Sequence, residues 1–426
     1  MYLRGIKIKR KMKKTALLLI IVCATISGAL RAQSQTNLEG ILNQINADSV
    51  YATVQDLQNF GSRLAVQNEN NPDGNRDVAD YIIQRLERYG VTTELDSFAV
   101  GNTVAYGLWI DQWFYNVKGV LPADNPIDDS IVLVGAHMDA ISFNNGNYYS
   151  VAAQVPGADD NASGVAVMLE LARICHANKI QFSRNIHFMA YDAEEFGLWG
   201  SEADAYKRSK AGDKIALMMN NDMVSNPPDG DWRLLLRWYD NAVDVLMRAS
   251  SICEQYTDLL PVTLPDSENM LRATRSDSYS YYEYGFRATY ASEYTYPSTY
   301  HTAYDVTDSC NYAYLAEVAR YNMAMLATYA GLVSWTAPAE PAFTTTHVYP
   351  NPTCGKFTVQ FKLEQDSPVS VSVLDIRGCV VLGCDNSVQP SGICHLELDL
   401  SDLPAGVYLC HIHTGKGVET LKVLKQ

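Results

Sequence analysis

The sequence predicts two folded units: an α/β unit whose mixed, largely parallel sheet is flanked by helices, and a small all-β sandwich after it. Three observations carry that prediction. Apolar runs at 131–135, 185–190 and 215–219 end in the polar clusters His137-Met138-Asp139, Asp192-Ala193-Glu194-Glu195 and Asn220-Asn221-Asp222. Helical stretches at 163–177 and 201–209 lie between these runs, and strands alternating with helices imply a parallel sheet. Beyond residue 346 apolar and polar residues alternate one by one, as in strands buried on a single face.

In chain order, residues 1–32 read as a secretory signal peptide. Lys11, Lys13 and Lys14 supply its charged start, residues 15–26 its short apolar core and Ala32 its cleavage position. That run is too short for a membrane span, so the mature chain is expected to lack a transmembrane helix. Residues 33–335 form the α/β unit. Its first helix is expected over 37–60. A second, over 77–89, places Val78, Tyr81, Ile82, Leu86 and Tyr89 on one face and stops at Gly90. Strand-like segments follow, including 113–120. The stretch 222–304 is irregular and rich in Tyr, and reads as long loops over the sheet edge. Residues 312–332 form the last amphipathic helix, and 336–346, with Pro338 and Pro341, a linker. In 347–426, Phe357-Val359-Phe361, Val369-Val371-Val373 and Leu396-Leu398-Leu400 alternate with polar residues. Turns at Arg377-Gly378, Pro390-Ser391-Gly392 and Pro404-Ala405-Gly406 separate them, which predicts the sandwich.

Charge narrows the partners. The formal net charge is −15, and removing the leader leaves 25 basic against 48 acidic residues, or −23. Such a surface repels nucleic acid and anionic membranes. Past the leader the cysteines are Cys175, Cys253 and Cys310, then five from Cys354 onward; there is no CxxC pair. Neither a full disulfide framework nor a zinc ribbon is implied, though one or two bridges fit an exported chain.

In parallel sheets ligands bind beyond the carboxyl ends of the strands, and all three polar clusters fall there. A fourth acidic stretch is Pro156-Gly-Ala-Asp159-Asp160-Asn-Ala-Ser-Gly164, on a turn opening a helix. Asn161 or Ser163 can cap that helix, and Gly164 lets another segment pass close by. The candidates are therefore His137, Asp160, Glu194, Glu195 and Asp222. One imidazole among several carboxylates suits zinc or another borderline divalent ion. Two such ions ~3.5–4 Å apart would share a carboxylate, and Asp160 is the natural bridge. His176 near a helix end and His187 within a strand have ordinary structural explanations; His301, in YPSTYHTAYDVTDS, is the remaining second imidazole. An isolated Glu-Glu pair is ordinarily a solvated turn. Here it follows a buried strand, so one glutamate would ligate while the other holds the activated water and takes its proton. Asp139 can accept the second N–H of the His137 ring and fix its tautomer. The tyrosines Tyr290, Tyr294, Tyr296 and Tyr300 read as packing first and as a specificity pocket second.

The motifs GAHMDA, PGADDNASG, AYDAEEFGLWGS and NNDM and the His301 loop, in that order, resemble the metal-site motifs of the di-zinc aminopeptidase family, the zinc exopeptidases related to bacterial leucyl aminopeptidases. The resemblance covers roughly residues 40–332. It implies two zinc ions per chain, one held by Asp160, Glu195 and His301 and the other by His137, Asp160 and Asp222. It also implies a cis peptide after Asp160 and hydrolysis of the N-terminal peptide bond of peptide substrates. Glu194 would be the general base toward a two-zinc activated water, then the acid toward the leaving amine. Rival readings on the same fold are a glutaminyl cyclase-like acyltransferase, a carboxypeptidase and a binding protein without catalysis. The sequence departs from some relatives at Ala273-Thr274-Arg275, where those have a tyrosine between disulfide-bonded cysteines. The residue supporting the oxyanion is thereby left open. VYPNPTCGKFTV, VSVLDIRGCVV and the 28-residue stretch 398–425 resemble type IX secretion sorting domains. That implies export through the periplasm and across the outer membrane, with the outer-membrane secretion machinery as partner and a secreted or cell-surface destination.

Overall fold

The computed structural model describes residues 38–426 except 68–71, 73, 148–150, 337–342, 364–365, 376–379 and 415–416. The expected signal peptide and much of the expected linker lie outside the described residues. The described chain divides into two compact units after Thr336.

The larger unit contains β1 (Thr92–Ala105), β2 (Leu108–Leu121), β3 (Ser130–His137), β4 (Gln181–Phe182), β5 (Asn185–Tyr191), β6 (Lys214–Asn221), β7 (Arg233–Trp238), β8 (Leu260–Val262), β9 (Ala288–Glu293) and β10 (Leu332–Ser334). Eight of them form one sheet in the order β1-β2-β5-β3-β6-β9-β7-β8, while β4 pairs with β10. The middle four, β5, β3, β6 and β9, are parallel. β2 joins β5, and β7 joins β9, antiparallel, so the sheet is mixed with a parallel centre.

The apolar runs follow from burial on both faces. Along β3, Val132, Val134 and Ala136 enter the core beneath helices Ala47–Gln58, Arg76–Arg88, Gly164–Ala177 and Tyr312–Tyr329. Leu133 faces the opposite core, with Ala205, Ala273 and Tyr281 of helices Trp199–Ala211, Asp266–Ala273 and Ser278–Glu283.

Two expectations are corrected. The helix expected over 37–60 breaks after Leu42, and a new one starts at Ala47. The Asn46 side chain stops the first by capping the second, accepting from the Ser49 N–H at 2.8 Å. The stretch 222–304 is not merely loop over the sheet edge. It supplies β9, whose six residues ATYASE are all buried between β6 and β7. Polar residues in that run mask its depth: inside, Thr289 Oγ1 donates to Arg237 O, Ser292 Oγ to Glu293 O, and Glu293 Oε2 accepts from Asn226 N–H.

The smaller unit holds β11 (Phe343–Tyr349), β12 (Lys356–Leu363), β13 (Ser367–Leu374), β14 (Val380–Gln389), β15 (Gly392–Asp399), β16 (Gly406–Thr414) and β17 (Gly417–Lys425). They form a sheet β11-β12-β15 and a sheet β14-β13-β16-β17, every pairing antiparallel. Phe357, Val359, Phe361, Val369, Val371, Val373 and Leu398 fill the core between them, and strand alternation also turns Cys410 inward.

Candidate metal centre

Parallel strands bring their carboxyl ends to one rim of the sheet. β3 ends on His137, β5 runs into Asp192–Glu195 and β6 into Asp222. Asp160 reaches the same place from a widened helical turn, Ala158–Ser163, ahead of helix Gly164–Ala177. The Asp160–Asn161 peptide is cis, as the resemblance implies. Asn161, rather than Ser163, caps the helix: its Oδ1 accepts from Gly164 N–H at 2.9 Å while its Nδ2 donates to Asn221 O at 2.9 Å. That second bond pins the turn to the end of β6. A Cβ at Gly164 would collide with the Asn221 carbonyl, so the close approach requires glycine.

The residues singled out from sequence converge. Asp160 stands between two imidazoles, with Oδ1 3.2 Å from His137 Nε2 and Oδ2 3.2 Å from His301 Nε2. Asp222 Oδ1 lies 3.3 Å from His137 Nε2, and Glu195 Oε2 2.9 Å from His301 Nε2. Glu194 Oε2 is 4.0 Å from His137 Nε2. The donor atoms of His137, Glu194 and Asp222, and those of His137, Asp160 and Glu195, form two tight groups. His176 and His187 stay apart; His187 Nδ1 faces the Arg208 guanidinium at 3.2 Å.

Asp139 differs in detail from expectation. His137 Nδ1 is 3.1 Å from the Asp139 carbonyl oxygen and 3.5 Å from its carboxylate. The carboxylate instead accepts the backbone N–H groups of Glu194, at 3.0 Å, and Glu195, at 3.2 Å. It therefore aims both glutamates as well as standing beside the histidine.

Other supports carried no motif. Ser276 Oγ donates to Asp222 Oδ2 at 2.6 Å and accepts from Asn220 Nδ2 at 2.6 Å. Asp305 accepts the backbone N–H groups of Asp159, at 2.9 Å, and Asp160, at 3.0 Å. Asp159 points away from the cluster and accepts from Ser225 N–H at 2.8 Å and Ser225 Oγ at 2.9 Å. Arg63, 1% exposed, donates to the carbonyls of Met138, Pro156 and Gly157, which ties the His137 and Asp160 loops together. Asp305 sat unassigned in the His301 loop, and Arg63 had no signal at all. Ala193, Met223 and His301 adopt left-handed backbone, with φ of 56°, 58° and 54°. Strain of this kind gathers where a fold aims side chains at one point.

The electrostatics describe a site short of positive charge. Burial raises the Glu194 carboxyl well above its usual range against the opposing pull of His137. Burial likewise raises Glu195 to about 7, with His301 opposing. Burial pushes Asp160 upward too, but hydrogen bonding to both imidazoles outweighs it and holds the group well below the usual carboxylate range. Burial lowers His137, yet the charges of Glu194 and Asp222 carry it well above an ordinary imidazole. Several carboxylates with two imidazoles, all oxygen and nitrogen donors, fit divalent cations of the zinc type. Among the described residues, Glu195 Oε1 and both ring nitrogens of His301 find no aligned hydrogen bond though buried, as donors meant for a cation would be.

The cluster floors a cleft of about 320 Å³. Phe196, Leu198 and Met223 line it together with the phenols of Tyr106, Tyr290, Tyr296 and Tyr300. Tyr294 faces elsewhere, its ring 3.9 Å beneath the Arg233 guanidinium. Arg275, from the stretch that departs from relatives, also lines the cleft.

Comparison with known proteins is consistent with this geometry. Residues 116–326 match the model described as Peptidase family M28, and residues 347–426 that of a secretion system C-terminal sorting domain. A probable zinc metalloprotease of Phaeosphaeria nodorum is 30% identical over 229 residues, 48% of this chain and 44% of that protein. A probable leucine aminopeptidase of Arthroderma otae is 31% identical over 215 residues, 48% and 54% respectively. The chain thus spans about half the length of the curated relatives it matches. Among solved structures, the LapA aminopeptidase of Legionella pneumophila aligns with TM-score 0.57 and 22% identity, covering 70% of this chain and 76% of that one. A glutaminyl cyclase of Bacteroides thetaiotaomicron bound to N-acetylhistamine aligns with TM-score 0.52 and 18% identity, covering 66% and 97%. At such identities the structural likeness speaks for the fold.

Proposed function

Since the chain belongs to peptidase family M28 through its larger unit and ends in a secretion system sorting domain, we propose that it is an exported aminopeptidase using two zinc ions. The observation that carries this reading is the Asp160 carboxylate set between His137 and His301, 3.2 Å from each. In the proposal Asp160 is shared, His137 and Asp222 complete one ion's ligands, and Glu195 and His301 the other's. When bound, zinc supplies Lewis acidity, which polarises a scissile carbonyl and eases deprotonation of water.

The remaining work falls to the chain. Glu194 accepts the proton of the attacking water and returns it to the leaving amine. Its place suits that task, since burial favours the proton on its carboxyl and Asp139 fixes its backbone. The apolar lining residues Phe196, Leu198 and Met223 receive the substrate's N-terminal side chain. Residues 1–32 serve as a leader, and 347–426 as the address read by a type IX outer-membrane machinery, which delivers the enzyme outside the cell. Among the described residues no helix is long and apolar enough to cross a membrane.

The test is hydrolysis of a panel of fluorogenic aminoacyl-amides, with chelator and zinc add-back. Activity should vanish with chelator and return with zinc. Glu194→Gln should lower kcat by roughly a thousandfold or more while metal content holds. Full activity in that variant would remove the base assignment. Conversion of N-terminal glutaminyl peptides, with no release of amino acid from the panel, would establish the cyclase reading instead.

A further inference from the structure

The cleft wall carries one feature that the metal centre does not use. Asp160, Glu194, Glu195 and Asp222 make its floor acidic. Against them, Arg275 is the only lysine or arginine among the lining residues. Other arginines nearby are committed. Arg272 pairs with Glu268 at 3.3 Å, Arg233 with Asp231 at 2.7 Å, and Arg237 is buried over the Tyr290 ring at 4.2 Å. Arg275 is exposed, and among the described residues no carboxylate lies within ion-pairing distance of it. Its backbone is fixed, because its N–H donates to Arg272 O at 3.2 Å and the next residue, Ser276, is bonded to Asp222. A free guanidinium thus stands on rigid backbone one residue from a support of the metal centre.

Building on the aminopeptidase reading, we propose that Arg275 is a specificity-determining residue that receives a substrate carboxylate on the leaving-group side of the scissile bond. The physical case is charge matching. On the aminopeptidase reading the substrate's amino end lies at the metal centre on the floor. The unpaired cation on the wall then meets the opposite end of a short substrate. Two extended residues span only about 7 Å, roughly the reach of an arginine side chain. The planar guanidinium takes a carboxylate through two parallel hydrogen bonds, which a point charge does not. Two sources present that group at that distance: the C-terminus of a dipeptide, and the side chain of an acidic second residue. The favoured substrates are therefore dipeptides with a free carboxyl terminus and peptides whose second residue is acidic.

The experiment compares kcat/KM for Leu-Gly, its C-terminal amide and Leu-Glu-amide, in the full chain and in Arg275→Gln and Arg275→Lys. In the native chain the free dipeptide should exceed its amide by roughly tenfold or more, the worth of a charge-assisted pair. The Leu-Glu-amide arm reports whether a side-chain carboxylate serves equally. Arg275→Gln should collapse the acid-to-amide ratio toward one through KM, and Arg275→Lys should restore part of it. Added salt should erode the native ratio. A native ratio near one in both arms, or a ratio unchanged by Arg275→Gln, overturns the proposal. N-acetyl-Leu-Gly separates the two levels of inference. If it is cleaved while aminoacyl-amides are not, the aminopeptidase reading itself fails, whereas aminoacyl-amide hydrolysis without carboxylate preference removes only the role of Arg275.

Discussion

The two halves of the proposed metal centre are built differently. In the half around His137 every support is buried and bonded. The ring is 1% exposed, Nδ1 rests on the Asp139 carbonyl, and Asp222 is held by Ser276, itself held by Asn220. Its ligands leave from the ends of neighbouring strands, β3 and β6. In the half around His301 the ring is 13% exposed, and among the described residues neither Nδ1 nor Glu195 Oε1 has a hydrogen-bond partner. His301 comes from a loop, with left-handed backbone at φ 54°. Stacking holds it: Tyr300 lies 3.8 Å away at 22° and Phe143 5.6 Å away at 67°, with Phe143 N–H donating to the His301 carbonyl at 2.9 Å. Hydrogen-bonded ligands keep their aim in the free site, while a stacked loop ligand is ordered only in part. On the two-ion proposal, the ions should therefore be held with unequal strength, the His137 half tighter.

The largest effect should come from what the halves share. Asp160→Asn weakens the ligation of both ions and should cut activity by at least about a thousandfold. Metal content after buffer exchange should fall from two ions to fewer than one per chain. Two tightly held ions in this variant would break the bridging role.

The next test separates the halves. Chelator titration of the native protein should remove metal in two phases, the first matching what His301→Ala already lacks. His301→Ala should keep one ion. His137→Ala should lose the tighter one, leaving metal that exchanges readily. A single phase, or a tighter ion in the His301 half, would reverse the comparison.

That asymmetry was invisible in the sequence, although the residues proposed as ligands were not. His137, Glu194, Glu195 and Asp222 were legible because a buried parallel strand writes an apolar run and ends on its polar cluster. Asp160 showed as a paired acid at a helix start. Their supports were not legible, because a support is chosen by proximity in space. Ser276 lies 54 residues from Asp222, and Arg63 lies 75 residues from Met138. Serine and arginine in loops ordinarily mean solvent. The same limit hid β9, whose ATYASE lacks the apolar run that marked β3, β5 and β6. The smaller unit was legible nearly throughout, since strict alternation is all that a sandwich core demands.

Removing a support on the tighter side gives a smaller, local effect. Ser276→Ala leaves Asp222 Oδ2 without its donor and frees the carboxylate to turn. Ion affinity in the His137 half should fall by about ten- to a hundredfold, as such supporting bonds commonly contribute. The looser ion should be unchanged. The chelator midpoints of the two phases would then approach one another, which sharpens the comparison from the opposite direction.

The smallest expected effect tests whether stacking really orients His301. Tyr300→Leu keeps an apolar side chain but removes the ring 3.8 Å from the imidazole. Aromatic pairs contribute about 0.5–1.5 kcal/mol beyond buried area, so the looser ion should weaken by roughly two- to tenfold. Tyr300→Phe should behave as the native protein, because the ring rather than the hydroxyl does the orienting. If Tyr300→Phe weakens the ion as much as Tyr300→Leu, the phenol oxygen is the support. The His301 half would then be hydrogen-bonded like its neighbour, and the contrast between them would shrink to one of exposure.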